Sequence, residues 1–171
     1  QESALMPWLS AGQNVELALR LRGLKKTDRI ATAKELLAKV NLSHSYGKRP
    51  HELSGGMRQR VAIARALAQE TPILLMDEPF AALDAITRDL LHDELIRLWK
   101  ENGLTVVFVT HNVREAVRLG QRVLLMSSRP GKFIKEWQIE LVEPRRIDSP
   151  EVAILAREIT DELRTEIKRH A

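Results

Sequence analysis

The sequence contains no cysteine, no long apolar run and no glycine-rich phosphate loop. Without cysteine the chain can form neither disulfides nor thiolate metal sites, which fits a reducing compartment. No apolar stretch approaches the roughly 18 residues of a membrane-spanning helix, and no segment resembles a signal peptide. Any role at a membrane is therefore expected to depend on a partner protein.

A basic block is absent as well. The 171 residues carry a formal net charge of +4, but acidic and basic side chains alternate along the chain. No run of lysine and arginine is dense enough to indicate nucleic-acid binding. The missing motif Gly-x-x-x-x-Gly-Lys-Ser/Thr is the one whose amides and lysine cradle nucleotide phosphates.

Residues 52–60 predict a helix that begins at a glycine turn. Ser54 is a suitable N-cap, because its side-chain oxygen can accept from an N–H of the first turn. Gly55 and Gly56 carry no Cβ, so their amides can come close to a bound group. Such a helix start predicts an anion site, most naturally for phosphate. The alternative is an ordinary serine-capped helix after a glycine turn.

Residues 73–79 predict a short buried strand of a parallel sheet that ends in two carboxylates. Open α/β sheets bind their ligands at the carboxyl ends of strands. Because successive side chains point in opposite directions, Asp77 can hold a hydrated Mg²⁺ while Glu78 takes a proton from water. The alternative is that both acids only cap the following turn.

Periodicity and capping residues predict the other elements. Helices are expected at residues 14–22, 27–40, 84–100, 112–119 and 149–169, and strands at residues 104–109, 122–126 and 133–139. Thr27 or Asp28 is expected to cap the second helix, and Asp84 the next long one. Residues 104–109 should be a second buried strand, and the final two strands should form a hairpin that closes the same sheet.

Four motifs in a fixed order give the chain a family resemblance. They are Leu53-Ser54-Gly55-Gly56-Met57, Leu74-Leu75-Met76-Asp77-Glu78-Pro79, Ala82-Leu83-Asp84 and Thr110-His111. They resemble the signature motif, the Walker B motif with its catalytic glutamate, the D-loop and the switch histidine of ABC-transporter ATPase subunits. Met57 stands where the family often has glutamine, and Ala81 where serine is frequent, but neither departure removes a catalytic group.

The resemblance implies an α/β fold: a P-loop NTPase core with a mostly parallel sheet flanked by helices, and a helical subdomain. Gln1 resembles the Q-loop glutamine, so the N-terminal strands and the phosphate loop would be missing from this back portion of a longer domain. Residues 1–70 are expected to hold the Q-loop, helical subdomain and signature helix. Residues 71–142 would hold the Walker B, D-loop and switch part of the core, and residues 143–171 an amphipathic C-terminal helix.

The resemblance also implies roles for single residues, with ATP and Mg²⁺ as cofactors. Gln1 would contact the Mg²⁺ and the attacking water. His111 would donate to the γ-phosphate and position Glu78. Asp84 would face a second ATPase subunit, and residues 54–56 would complete that subunit's ATP site in a homodimer stacked head to tail.

Further partners implied are transmembrane permease subunits and a solute-binding protein, at the cytoplasmic face of the membrane, with no nucleic acid. The apolar residues 5–8 are interpreted as a groove wall that receives a short permease helix, or alternatively as packing on the next helix. Together with residues 127–131 they are similar to the nitrate/sulfonate/taurine branch of importers.

Two other functions are considered. A soluble ABC-type ATPase acting on nucleic acid or ribosomes is disfavoured by the apolar residues 5–8 and by the lack of a basic stripe. An inert binding module is the other alternative. We expect the chain alone not to hydrolyse ATP measurably without a phosphate loop, whereas the full-length protein is expected to be an ATP hydrolase.

Overall fold

The computed structural model describes residues 5–81 and 83–170. The chain divides into two compact units, residues 1–109 and 110–171. The first unit contains α1 (Ala11–Leu21), α2 (Lys26–Lys39), α3 (Gly55–Leu67), β1 (Ile73–Asp77), α4 (Ala85–Asn102) and β2 (Thr105–Val109), with 3₁₀ turns at Ser43–Ser45 and Pro50–Glu52. The second unit contains α5 (Val113–Leu119), β3 (Arg122–Met126), β4 (Phe133–Gln138) and α6 (Pro150–His170).

Helices α1, α2 and α3 pack against one another in the first unit. A capping box opens α1, because the Ser10 side chain accepts from the Gln13 N–H at 3.2 Å and the Gln13 side chain accepts from the Ser10 N–H at 2.9 Å. Apolar side chains fill the interior of this helical layer, and those with no exposed surface include Val15, Leu19, Leu37, Val40 and Val61.

The start of α2 differs from the prediction. Its N-cap is Lys25, which makes no side-chain cap hydrogen bond. Neither Thr27 nor Asp28 caps the helix, because both lie within its first turn, where the Thr27 hydroxyl donates to the Asp28 carboxylate at 3.1 Å. The end of α1 is as expected, since Gly23 follows it with a φ of +87° that favours glycine.

Strands β1 and β2 pair in parallel, with Asp77 opposite Val109, which confirms the predicted strand direction. Burial differs from the prediction, because only the face that carries Leu74 and Met76 is covered in the described residues. The side chains of the opposite face are 52 to 74% exposed: Ile73, Leu75, Val107 and Val109. The strands predicted to be buried are therefore covered on one face only.

Helix α4 begins at the predicted cap and ends at Gly103, whose φ is +60°. The spacing of its apolar residues predicts a buried face made of Ile86, Leu90, Leu91, Leu95 and Leu98. The last three are buried, together with His92, which has no exposed surface. The first two point to solvent instead, with 76% and 56% of their surfaces exposed.

Tyr46 packs its ring against α1 at a position where only glycine fits. A Cβ on Gly12 would lie 2.4 Å from the Tyr46 ring. Burial, a hydrogen bond from the Tyr46 hydroxyl to Glu16 and the charge of that carboxylate raise the pKa of Tyr46 to about 12. Because the unfolded chain releases this proton first, the stabilisation is complete below about pH 10 and is lost as the pH rises toward 12.

The shift can be measured directly, because the chain contains one tyrosine. We expect the tyrosinate absorbance of the folded chain to have a midpoint near pH 12. In denaturant the midpoint should fall to about 10. A Glu16→Gln variant should titrate at a lower pH than the parent, and equal midpoints for folded parent and variant would contradict the assignment.

The second unit has its core between α6 and the hairpin of β3 and β4. The buried cluster consists of Val117, Leu125, Trp137, Ile139, Val152, Ala156 and Ile159. Ser149 opens α6 as predicted, since its hydroxyl accepts from the Val152 N–H at 3.4 Å. The spacing of the apolar residues in α6 predicts a buried stripe that ends at Ile167, but Ile167 is 53% exposed.

The hairpin is antiparallel as predicted, but β3 and β4 form a two-stranded sheet of their own. The expectation that they close the β1–β2 sheet is therefore wrong. Leu125 and Trp137 turn into the cluster with α6, and the Trp137 indole N–H donates to Glu158 of α6 at 2.8 Å. Among the described residues, no helix is both long enough and apolar enough to cross a membrane.

Candidate functional site

The two carboxylates at the end of β1 lie at an accessible edge of the parallel sheet. Asp77 is the last residue of β1 and is exposed, whereas Glu78 is half-buried. The Glu78 N–H donates to the carbonyl oxygen of Val109 at 2.9 Å, which continues the pairing of β1 with β2 by one bond. Both acids thus follow a strand held in register, as the sequence indicated.

Glu78 adopts a backbone conformation that is uncommon for a residue with a side chain. Its φ is +46°, in the left-handed region, where a non-glycine residue costs roughly 1 to 2 kcal/mol. The turn after it is closed by a bond from the Ala81 N–H to the Glu78 carbonyl oxygen at 3.3 Å. Strain of this kind concentrates at functional sites, where surrounding contacts hold it in place.

An aromatic pair anchors the turn that follows Glu78. Phe80 is 1% exposed, and its ring meets the buried ring of His92 edge to face, with centroids 4.6 Å apart. The Arg88 guanidinium donates to the carbonyl oxygen of Leu83 at 2.8 Å, further along the same segment. Sequence reasoning missed these residues, although His92 lies one residue from Leu91 on the buried face of α4.

The start of α3 has the predicted cap. The Ser54 hydroxyl accepts from the Met57 N–H at 3.3 Å, and Ser54 itself is exposed. The Arg58 guanidinium donates to the carbonyl oxygen of Leu53 at 2.6 Å, which holds the preceding loop against the first turn. An exposed hydroxyl therefore stands at the positive end of a helix of 13 residues.

Gly56 has a packing role that the sequence did not reveal. A Cβ on Gly56 would lie 2.4 Å from the Thr87 side-chain methyl of α4, whereas one on Gly55 would make an ordinary contact at 3.5 Å with Leu83. Glycine at position 56 therefore lets α3 and α4 approach closely, and that approach brings the start of α3 next to the start of α4.

This contact makes a testable prediction. Gly56→Ala should destabilise the protein by roughly 1 to 3 kcal/mol through overpacking, measured by denaturant unfolding. Thr87→Ser removes the methyl that obstructs the new Cβ, so the double variant should regain most of the loss. A Gly47→Ala control, where nothing lies within 4 Å of the new Cβ, should change stability little. Equal effects at positions 47 and 56 would contradict the assignment.

Asp84 caps α4 as predicted. Its carboxylate accepts from the Thr87 N–H at 2.9 Å, and hydrogen bonds from Thr87 lower the pKa of Asp84 below its usual value. The carboxylate is therefore ionised at neutral pH. Two residues of the sequence-based interpretation, Gln1 and Ala82, lie outside the described residues.

His111 is exposed and belongs to the second unit. It lies between Thr110 and Asn112, and Asn112 is the N-cap of α5. The register of the parallel sheet brings the end of β2 beside Asp77, as the sequence predicted. The contacts of His111 with phosphate and with Glu78 remain predictions.

A buried asparagine fixes the turn that contains residues 5–8. Asn14 accepts from the Met6 N–H at 2.8 Å and donates to the carbonyl oxygens of Met6, Leu9 and Ser10 at 3.2, 3.2 and 3.0 Å. Trp8, within this turn, is 68% exposed. The turn is therefore attached to α1, with its largest apolar side chain in solvent. The sequence signal for this role was a polar residue, Asn14, on the otherwise apolar buried face of α1.

Asp77 could contribute to a Mg²⁺ site that a ligand's phosphate oxygens complete. Among the described residues, no group of three or more histidine, aspartate or glutamate side chains could hold a metal ion. Mg²⁺ at nucleotide sites takes one or two carboxylates and completes its shell with phosphate oxygens and water. The exposed carboxylate of Asp77 at the strand end meets that need.

Comparisons with known proteins agree with this geometry. A family model described as ABC transporter matches residues 1–81. An uncharacterized ABC transporter ATP-binding protein of Methanocaldococcus jannaschii is 45% identical over 167 residues, which are 98% of this chain and 62% of that protein. The chain belongs to the ABC transporter ATP-binding family.

Other members of this ABC family carry more specific names. The taurine import ATP-binding protein TauB of Rhizobium johnstonii is 45% identical over 98% of this chain and 64% of its own length. The nitrate import ATP-binding protein NrtD of a Synechocystis species is 46% identical over 82% of this chain and 53% of its own length. The chain thus spans less than two thirds of these relatives.

Solved ABC cassettes have the same fold. A dimeric ATP-binding cassette in a post-hydrolysis state, bound to ADP and Pi, superposes with a TM-score of 0.69 at 38% identity. The match covers 83% of this chain and 62% of that cassette. The fold class expected from the four motifs, an ABC-type P-loop NTPase core, is confirmed.

Proposed function

We propose that the whole protein is the ATP-hydrolysing subunit of an ABC transporter that imports a small solute of the taurine or nitrate kind. The observation that carries this proposal is the end of β1, where exposed Asp77 and half-buried Glu78 follow a strand paired in parallel with β2. The names of the relatives, taurine import and nitrate import, support the solute class.

Each site residue has a distinct role in hydrolysis. Asp77, with Gln1, would hold Mg²⁺, which neutralises charge on the phosphate oxygens. Glu78 accepts the proton of the attacking water. His111 donates to the γ-phosphate and keeps Glu78 in position. The close approach of α3 to α4 at Gly56 supports a fixed placement of the phosphate-binding helix start.

The ATP site is completed by a second copy of the protein. Ser54, Gly55 and Gly56 of one subunit bind the γ-phosphate of ATP held by the other, in a dimer stacked head to tail, and Asp84 lies at the interface. The exposure of Ser54 and the ionised state of Asp84 are consistent with this arrangement. The dimeric cassettes among the solved relatives support it.

Transport follows from closure of this dimer on ATP and its opening after hydrolysis. Permease subunits dock on the turn that contains residues 5–8, where Trp8 is exposed, and a solute-binding protein delivers the solute. The subunit works at the cytoplasmic face of the membrane without nucleic acid.

A mixing experiment tests the shared site. Ser54→Arg and Glu78→Gln proteins should each be inactive, but a mixture should regain roughly a quarter of the parent rate, because half of the dimers then contain one intact site of two. No recovery would contradict the head-to-tail site. Solute uptake by vesicles that contain the permease should require Mg²⁺ and ATP. Salt-dependent RNA or DNA binding without uptake would favour the soluble alternative.

A further inference from the structure

A closed set of hydrogen bonds surrounds the backbone of His111. The Thr110 hydroxyl donates to the Glu115 carboxylate at 2.6 Å and accepts from the Asn112 N–H at 3.0 Å. The Asn112 side-chain oxygen accepts from the Glu115 N–H at 3.3 Å. His111 is the residue between the two bonded neighbours, and its own side chain is exposed.

This arrangement modifies a capping box. In the ordinary box, the acidic residue at the third helical position bonds the N–H of the N-cap. Here Glu115 holds that position, but the Asn112 N–H donates to the Thr110 hydroxyl instead. The Thr110 hydroxyl in turn donates to the Glu115 carboxylate, so it lies between the N-cap and the acidic residue. The side chain of Asn112 already caps α5, so the bonds through Thr110 fix the chain before the helix.

Burial restricts the movement of the hydrogen bond between Thr110 and Glu115. Glu115 is 3% exposed, and its O–H···O bond with Thr110, at 2.6 Å, lies at the short end of the range for such bonds. Because the Thr110 hydroxyl accepts from an N–H, its proton must point to the carboxylate. The hydroxyl is therefore held in one orientation, and the peptide group between His111 and Asn112 is held with it.

We propose that Thr110 and Glu115 are positioning residues that hold His111 ready to contact the γ-phosphate. This inference rests on the proposed role of His111 in ATP hydrolysis. Loss of the Thr110 hydroxyl frees the backbone at residues 110–112, so His111 samples positions from which it cannot reach phosphate. A displacement of about 1 Å can lower a catalysed rate by up to roughly 100-fold.

The test uses Thr110→Val, Thr110→Ser and His111→Ala in the whole protein, with kcat, KM for ATP and the unfolding temperature measured for each. Thr110→Val should lower kcat by roughly 10- to 100-fold with a smaller change in KM. Thr110→Ser keeps the hydroxyl and should restore kcat to within about threefold of the parent. In the His111→Ala background, Thr110→Val should cause no further loss of kcat. Thr165→Val, which replaces an exposed threonine of α6, should leave kcat unchanged.

The outcomes separate the two levels of inference. If His111→Ala lowers kcat but Thr110→Val does not, the positioning role is overturned and the proposed role of His111 stands. If Thr110→Val lowers kcat by the same factor in the parent and in the His111→Ala background, the positioning role is also overturned. The Thr110 hydroxyl would then affect kcat independently of His111. A parent-like kcat in His111→Ala overturns the role of His111 itself and the positioning proposal with it. If Thr110→Val lowers only the unfolding temperature, the contact is structural and the proposal fails.

Discussion

Replacing Glu78 with glutamine is expected to lower the rate of ATP hydrolysis by the whole protein by roughly 100- to 10,000-fold, the range that a positioned general base contributes. Glutamine has nearly the same volume but cannot take a proton from water. Because Glu78 is only half-buried, the substitution should leave the fold and the affinity for ATP close to those of the parent. Single-turnover hydrolysis and nucleotide binding would separate the two quantities.

The chain offers a matched control for this experiment. Glu70 also adopts a left-handed backbone, with a φ of +50°, and pairs with Arg22 on the surface. A Glu70→Gln variant therefore repeats both the chemical change and the backbone setting at a residue that precedes β1 instead of following it. It should hydrolyse ATP at the parent rate. A rate for Glu78→Gln within threefold of this control would show that Glu78 is not the base.

Replacing Arg145 with methionine is expected to destabilise the protein by roughly 2 to 4 kcal/mol, because several buried carbonyl oxygens would lose their donors together. The Arg145 guanidinium is 8% exposed and donates to the carbonyl oxygens of Val117, Ile139 and Leu141 at 3.2, 3.2 and 3.1 Å, and to that of Gly120. Burial lowers the pKa of Arg145, against the opposing charge of Glu143.

Denaturant unfolding of Arg145→Met beside Arg146→Met tests this role. Arg146 is the adjacent arginine, is exposed, and pairs only with exposed Asp148 in the described structure. Its loss should not change stability measurably, because exposed ion pairs contribute little. Arg145→Lys should recover only part of the loss, since an ammonium group cannot reproduce the planar fork of donors. Equal stability of the two methionine variants would refute the assignment.

The parts of the fold that depend on local chemistry could be predicted from the sequence. Ser54 and Asp84 are the N-caps that the pattern indicated, because a short oxygen-bearing side chain bonds the first turn wherever the helix packs. The parallel pairing of β1 with β2 was also predictable. Two short apolar runs, each bounded by turn residues, are separated along the chain by the helix α4, which is the order of a parallel strand pair.

The parts that depend on distant neighbours could not be predicted. The exposed face of β1, which includes Leu75, has the composition of a buried strand, and only the packed structure shows which face is covered. The hairpin forms a sheet of its own and packs on α6, where the Trp137 indole N–H donates to Glu158, 21 residues further along the chain.

The features of the candidate site also separate into those that the sequence determined and those that it did not. The sequence alone determined the family and the residue types that hydrolysis needs, because motif order and side-chain chemistry are written along the chain: a capped glycine turn, an acid pair after a strand and a histidine after the next strand. Only the tertiary structure decided what holds them, namely Thr87 against Gly56 and His92 beside Phe80. These contacts join residues whose pairing follows from the close packing of helices and turns, and no local pattern encodes that packing.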